Sequence, residues 1–373
     1  MIIDNLINRI DNLGIKTFAG VPDSLLQPLS DYLNSSDNTK FKHLVCANEG
    51  NAIAYAAGVY LATKKPAVVY MQNSGIGNCV NPIASLTNEH VYDIPLLLVI
   101  GLRGESGIKD EPQHKFQGMI TCETLDLLNI KNVVIDKDSL GEFNSIFTTI
   151  KNTLESNKPF AIVVKKDTFD KRSKCNLENN YTFVREDAIK CLVNYIKEDD
   201  FIVSTTGKIS RELYEVSREL KKNEYNNFLT VGSMGHASSI ALGIASNTHK
   251  RVICLDGDGA MLMHMGALAV NYNYASDNLI HIVLNNEAHE SVGGMPTGAS
   301  SFKANKIAKA VGYKNVYKAS NEAEFTEILK EVYRLNELSF IEVFVKNGAR
   351  SDLGRPKETP IENKINFMER LCK

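Results

Sequence analysis

Short apolar runs alternating with helix-patterned segments constrain this chain more than any other feature. In the first half the runs are TFAGV (17–21), HLVCA (43–47), PAVVYM (66–71), PLLLVIG (95–101), NVVI (132–135) and FAIVV (160–164). In the second half they are FIVST (201–205), FLTV (228–231), RVICLDG (251–257), LIHIVLNN (279–286), NVYKA (315–319) and SFIEVFV (339–345). Runs buried on both faces and joined by helices predict parallel sheets. The polar text KDTFDKRSKCNLENNYTF separates the two series. The expected organisation is therefore a first α/β domain over 1–165, a linker over 166–184, and a second α/β domain over 185–373 that includes a tail from Gly348. A length of 373 residues suits two such domains.

Composition narrows the function classes. Hydrophobic residues are 43% and charged residues 23%, the balance of a packed globular chain. A formal charge of −2 gives no electrostatic reason to expect nucleic acid, whose phosphates call for a basic face. The longest apolar stretch, IPLLLVIG, is far shorter than the roughly 20 residues of a bilayer span. The opening MIIDNLINRIDNLG reads as an amphipathic helix interrupted by charges, so no secretory leader and no membrane are expected. Seven scattered cysteines without a C-x-x-C pair argue against a disulfide framework and against a zinc site, and for a reducing, cytoplasmic setting.

Open parallel sheets bind ligands beyond the carboxyl ends of their strands, so the loops after the apolar runs are where chemistry is expected. After RVICLD comes Gly257-Asp258-Gly259-Ala260 and a helical pattern, and the next strand ends in Asn285-Asn286. Glycines beside an acid let the backbone approach a phosphate, and Asp258, Asn285 and the backbone carbonyl of Glu287 offer hard oxygen ligands for Mg²⁺. Thr205-Thr206-Gly207-Lys208 opens a helix at another strand end, where free N–H groups and hydroxyls can hold an anion. In the first half, Asn48 reads as an N-cap with Glu49 in the first helical turn, where the dipole favours it; a purely structural account of that glutamate exists.

Together these segments resemble the thiamine-diphosphate-dependent 2-oxo acid decarboxylases. The G-D-G followed by N-N is similar to their diphosphate signature, and N-E-G-N-A-x-x-x-A-A-G is similar to the helix that carries their catalytic glutamate. The resemblance implies an α/β fold of two thiamine-diphosphate-binding-type domains, without the extra central domain for which the chain has no room. It also implies thiamine diphosphate with Mg²⁺ as cofactors. Glu49 becomes the carboxyl that works on the pyrimidine N1′, and Thr206, Gly207, Lys208, Gly257, Gly259 and Ala260 surround the diphosphate. The Gly232 carbonyl would receive the 4′-amino group, and Met234 would stand between the two rings.

The same resemblance makes His114, in D-E-P-Q-H, a candidate for acid–base work on the substrate. Asp23 and Ser24, in G-V-P-D-S, become candidate substrate contacts, with Gln72, Asn73 and Ser74 as further possible polar contacts. Arg103 and Lys109 are candidates for an anionic substrate group, with Lys208 and Arg355 as further cations. In the family the glutamate and the diphosphate site come from different subunits, so a homodimer or larger assembly is implied. The combination of G-V-P-D-S, D-E-P-Q-H, G-S-M-G-H-A and D-L-G-R-P is most similar to the branch acting on phosphonopyruvate. The sulfopyruvate branch is the nearest alternative, and a non-catalytic thiamine-diphosphate-binding protein or partner subunit is the alternative of another class.

Overall fold

The computed structural model describes residues 2–35, 38–170, 179–290, 294–299 and 301–373. The chain divides into two compact units, Met1–Asn176 with Val292–Met295, and Leu177–Ser291 with Pro296–Lys373. The polar stretch read as a linker crosses that division, and its residues 171–178 lie outside the described residues.

The first unit runs α1 (Ile2–Asn12), β1 (Thr17–Gly20), α2 (Gln27–Asn34), β2 (Lys42–Val45), α3 (Glu49–Thr63), β3 (Val68–Gln72), α4 (Ile76–Pro82), β4 (Leu97–Gly101), α5 (Pro112–Leu127), β5 (Lys131–Ile135), α6 (Phe143–Glu155) and β6 (Phe160–Val164). Its strands pair in parallel in the order β2-β1-β3-β4-β6-β5. Alternation along β4 shows why the runs are apolar throughout: Leu97 and Val99 face the core under α1, α2 and α6, while Leu98 and Ile100 face the core under α3, α4 and α5. Each such fully buried side chain contributes about 1.5–3 kcal/mol. Neighbouring strands β1 and β3 approach closely enough to demand glycine at Gly20, where a Cβ would lie 2.1 Å from the carbonyl oxygen of its partner Tyr70.

The second unit contains α7 (Arg185–Tyr195), β7 (Phe201–Ser204), α8 (Lys208–Glu219), β8 (Asn227–Leu229), α9 (Ala237–Ala245), β9 (Val252–Gly257), α10 (Asp258–Met263), α11 (Ala267–Tyr274) and β10 (Leu279–Asn285). It continues with two two-residue strands, β11 (Ala288–His289) and β12 (Met295–Pro296), the second at the division between units. After them come α12 (Ala304–Val311), β13 (Asn315–Ala319), α13 (Glu322–Leu335), β14 (Ser339–Phe344) and α14 (Pro360–Leu371). The six-stranded order is β8-β7-β9-β10-β14-β13, all parallel, which repeats the connectivity of the first sheet strand for strand. Helices α7, α8 and α13 cover one face, and α9, α11 and α12 the other.

In each sheet the order reverses between the first and third strands of the unit, which opens a crevice at their carboxyl ends. The tail closes the opposite problem, an unpaired sheet edge: Asn363 on α14 accepts from the Leu229 N–H at 3.1 Å and donates to the Asn227 carbonyl at 2.8 Å. A capping box of Thr359 and Glu362 starts that helix.

Candidate functional site

In the second unit, β7, β8, β9 and β10 are contiguous and parallel, so the four loops singled out above leave the same edge of the sheet. Gly207 caps α8 with φ +96°, a conformation open to glycine, and the Thr206 hydroxyl accepts from the Gly232 N–H at 3.1 Å. That bond ties the loop after β7 to the loop after β8. The second loop continues through the half-buried Met234 to Gly235, where a Cβ would lie 3.0 Å from the Ala260 carbonyl oxygen. The helix behind Gly257-Asp258-Gly259 is thereby joined to it.

Asp258 begins α10 and is only 3% exposed. Burial pushes its carboxyl up to about 7, against the partial relief of hydrogen bonds from the Thr297 hydroxyl and from backbone N–H groups including those of Gly259 and Asn286. A carboxylate so placed gains from a nearby cation. The oxygens proposed to share that cation are linked to it through named bonds. Thr297 donates its hydroxyl to Asp258 and its N–H to the Glu287 carbonyl at 3.1 Å. The Asn285 Oδ1 accepts from the Glu287 N–H at 3.0 Å, while its Nδ2 donates to the fully buried Glu342 at 2.9 Å. Glu287 itself is left-handed, with φ +61°. These donors are hard oxygens connected through Thr297 and the Glu287 backbone, the ligand type that suits a divalent cation with a diphosphate.

Lys208 does not stand free. Its ammonium donates to Glu290 at 2.7 Å, and Glu290 also receives Arg185 and the Asn286 amide. Arg185 in turn holds the buried Glu212 through two bonds of 2.7 Å. The sequence reading passed over three residues here: Asn286, whose N–H reaches Asp258; Thr297; and the buried His289, whose Cε1 would lie 2.9 Å from a Cβ at Gly259. The doubled asparagine was the available signal for the first. Nothing local marked the other two, which are brought in by the chain after β10.

In the first unit, Asn48 caps α3, its side chain accepting from the Gly50 N–H at 2.8 Å, and Glu49 opens the helix at 6% exposure. The carboxyl accepts from Asn78 Nδ2 at 2.8 Å and lies over Gly75, where a Cβ would sit 2.5 Å from Oε1. A glutamate that only served its helix would point at solvent. This one is turned inward onto a glycine.

Beyond β1 and β4, a second cluster links most of the substrate-facing candidates. Arg103 donates to Asp110 through Nε at 2.9 Å and through Nη2, and to the Ser24 hydroxyl at 2.8 Å. Asp110 also meets His114 Nδ1 at 2.9 Å. Burial opposes the Asp110 charge, but Arg103, His114 and the N–H groups of Glu111 and Gly104 hold it well below the usual carboxylate range. Asn73 fixes the Arg103 backbone at both its N–H and its carbonyl. Asp23 is fully buried, its pKa pushed up to about 6 by burial and only partly restored by Arg103. Its Oδ1 has no hydrogen-bond partner. His114 lies in the first turn of α5, buried, and Lys109 is exposed with no part in this cluster.

The first unit thus holds an inward carboxyl and a part-buried His–Asp–Arg chain; the second holds glycine loops around a buried aspartate. Residues 2–126 match the thiamine pyrophosphate enzyme N-terminal TPP binding domain, and residues 205–343 match the thiamine pyrophosphate enzyme C-terminal TPP binding domain. The chain belongs to the thiamine pyrophosphate enzymes. Both matched regions fall on the parallel sheets described above, and this thiamine pyrophosphate enzyme binds thiamine diphosphate through them. It is 32% identical over 375 residues to the phosphonopyruvate decarboxylase of Streptomyces viridochromogenes, across 96% of this chain and 92% of that protein. It is 31% identical to the phosphonopyruvate decarboxylase of Streptomyces hygroscopicus, across 98% and 92%. With the sulfopyruvate decarboxylase of Methanosarcina acetivorans it shares 29%, across 99% and 97%. The enzyme is a carboxy-lyase of this group.

Proposed function

We propose that the enzyme decarboxylates 3-phosphonopyruvate to phosphonoacetaldehyde and carbon dioxide, a step of phosphonate biosynthesis, using thiamine diphosphate held through Mg²⁺. The observation that carries the reading is the near full-length relationship to two decarboxylases of that substrate. The bound coenzyme supplies a nucleophilic carbon and an electron sink for cleavage of the bond to the carboxylate.

The chain's own residues would do the rest. Asp258, the Asn285 amide oxygen and the Glu287 carbonyl would hold Mg²⁺ against the diphosphate, with Thr206, Gly207, Lys208, Gly257, Gly259 and Ala260 around it. Glu49 would share a proton with N1′ of the pyrimidine, the Gly232 carbonyl would take a proton of the 4′-amino group in a hydrogen bond, and Met234 would brace the two rings. His114, oriented through Asp110, would move the proton that the product carbon needs. Ser24 and Arg103 would hold the anionic end of the substrate, with Asp23 beside them. That binding energy would align the carboxylate for cleavage.

The active unit in this reading is a homodimer or larger assembly of this chain, one copy supplying Glu49 and another the diphosphate loops. Apolar side chains exposed on α3 and α5, such as Leu61 at 73% and Leu127 at 86%, and Tyr274 at 73% on α11, support such burial. Among the described residues the cysteines are free, three of them buried, which supports a reducing cytoplasmic setting. No described helix is long and apolar enough to cross a membrane.

The test supplies phosphonopyruvate, sulfopyruvate and pyruvate separately to the enzyme with thiamine diphosphate and Mg²⁺ and follows carbon dioxide release. Fastest release from phosphonopyruvate is expected. Preference for sulfopyruvate would transfer the assignment to the alternative that the third relative favours, and no release from any of them would overturn catalysis.

A further inference from the structure

Cys254, Asp256 and His281 form a buried donor cluster that the coenzyme reading leaves unused. Sequence spacing gave no hint of it, because 25 or more positions separate the histidine from the other two. Strand register creates it. In β9 and β10, Cys254 pairs with His281 and Asp256 with Val283. Ile253 and Leu255 of β9, like Ile280 and Ile282 of β10, face the α7, α8 and α13 side. Period-2 alternation therefore sends Cys254, Asp256 and His281 together to the opposite face, beneath α9, α11 and α12.

There the three are sealed at 0%, 1% and 1% exposure, and their donor atoms lie within 4.8 Å of one another. Asp256 Oδ1 accepts the Gly257 N–H at 2.9 Å, but Oδ2 has no hydrogen-bond partner, and neither does either ring nitrogen of His281. The His281 Nε2 to Asp256 Oδ2 separation is 3.4 Å. Buried polar atoms are normally satisfied, and the unpartnered Asp256 Oδ2 faces the unpartnered His281 Nε2, so these two call for a shared partner. The Phe340 ring closes one side of the imidazole. Asn271 and Tyr313 bring further buried polar side chains, with Tyr313 in the core layer of that face.

We propose that Cys254, Asp256 and His281 bind a structural divalent metal ion of the zinc class. A thiolate and a carboxylate cancel its two charges and a neutral imidazole completes three ligands, so the buried site carries no net charge. Donor atoms around tetrahedral zinc are about 3.5 Å apart, a spacing that the histidine and aspartate already meet at 3.4 Å, with the Cys254 sulfur within 4.8 Å of both. The fourth position falls to water or to the Asn271 amide oxygen. Because Asp256 also holds the Gly257 N–H, the ion braces the strand end from which the Gly-Asp-Gly loop departs. A site this enclosed loads as the chain folds and exchanges slowly afterward. The inference stands apart from the substrate and from the Mg²⁺ proposed above.

The full chain, purified without a metal-affinity tag, is dialysed against EDTA under native conditions and its metal content measured by mass spectrometry. Close to one zinc-class ion per chain should remain, and should be released on unfolding in chelator. Cys254→Ala, a small residue for an apolar strand position, and His281→Gln should each lower the retained metal by about tenfold or more. Since either variant can fail to fold, the wild-type chain is also refolded with Co²⁺, where a thiolate-to-cobalt absorption band should develop. A metal-free wild-type chain that refolds fully in chelator and gives no cobalt band would overturn the proposal. So would metal retained undiminished in a folded Cys254→Ala chain.

Discussion

The two units repeat one strand order, yet equivalent strand ends carry opposite chemistry. After the second strand, the first unit starts α3 with an inward-facing Glu49, whereas the second passes through the glycine-rich turn containing Gly232 and Gly235. After the third strand, the first unit offers Gly75, a bare floor for the Glu49 carboxyl, whereas the second places its own acid, Asp258, at the head of a helix. After the fourth, Arg103 leads to Asp110 and His114 in one, and Asn285 leads to Glu287 in the other. In the proposed reading, one scaffold built twice separates two tasks: topology sets where loops emerge, and the loop residues would decide whether that place moves protons or holds an anion and its metal.

If the division of tasks is right, substitutions should separate affinity from rate. Asp258→Ala should weaken coenzyme retention at limiting Mg²⁺ by about a hundredfold, with much of the turnover restored at saturating Mg²⁺ and coenzyme. Unchanged affinity in a coenzyme titration would dissolve the anchoring role of the second unit. Gly75→Ala should do the reverse, lowering kcat by about tenfold because its Cβ displaces the Glu49 carboxyl, with coenzyme affinity preserved. Equal kcat for variant and wild type would show that the position of that carboxyl is not critical.

A smaller effect sharpens the comparison through stability. Asp23 is buried with its pKa raised to about 6 from an ordinary 3.8. For an acid shifted upward, the folded state holds the proton more tightly. The cost is absent below the unfolded value, grows as pH rises through the interval, and is complete above about 6. Asp23→Asn should therefore gain up to roughly 3 kcal/mol over wild type at pH 8 but little at pH 4, as read by denaturant midpoints. An equal gain at both pH values would mean that folding does not shift the Asp23 pKa and that its cost is not one of ionisation.

The sheets were legible because burial on both faces writes itself as unbroken apolar text: every one of the twelve runs overlaps a strand of the two large sheets. The two-residue strands β11 and β12 were not, since so short a segment has no period. Among the candidate site residues, Glu49 and Asp258 stand out in the sequence because small residues surround them. What the text did not disclose was partnership. Arg103 reads as a candidate for an anionic substrate group, and the sequence does not disclose that Asp110, seven residues on, binds it together with His114. The same blindness hid Thr297 from Asp258 and His281 from Cys254, pairs that only the fold and strand register bring together. Lys109 was chosen for its charge, and the structure leaves it on the surface.

Glu49 as the group that readies the coenzyme is the claim on which the rest depends, and it can be tested without any substrate. The coenzyme-loaded wild-type enzyme and its Glu49→Gln variant are mixed into D₂O, quenched at successive times, and the loss of the thiazolium C2 proton is followed by NMR. Exchange should be far faster on the wild-type enzyme than on free coenzyme, and slower by about 10²- to 10⁴-fold in the variant with the coenzyme still bound. Equal exchange rates in the two proteins would contradict the account.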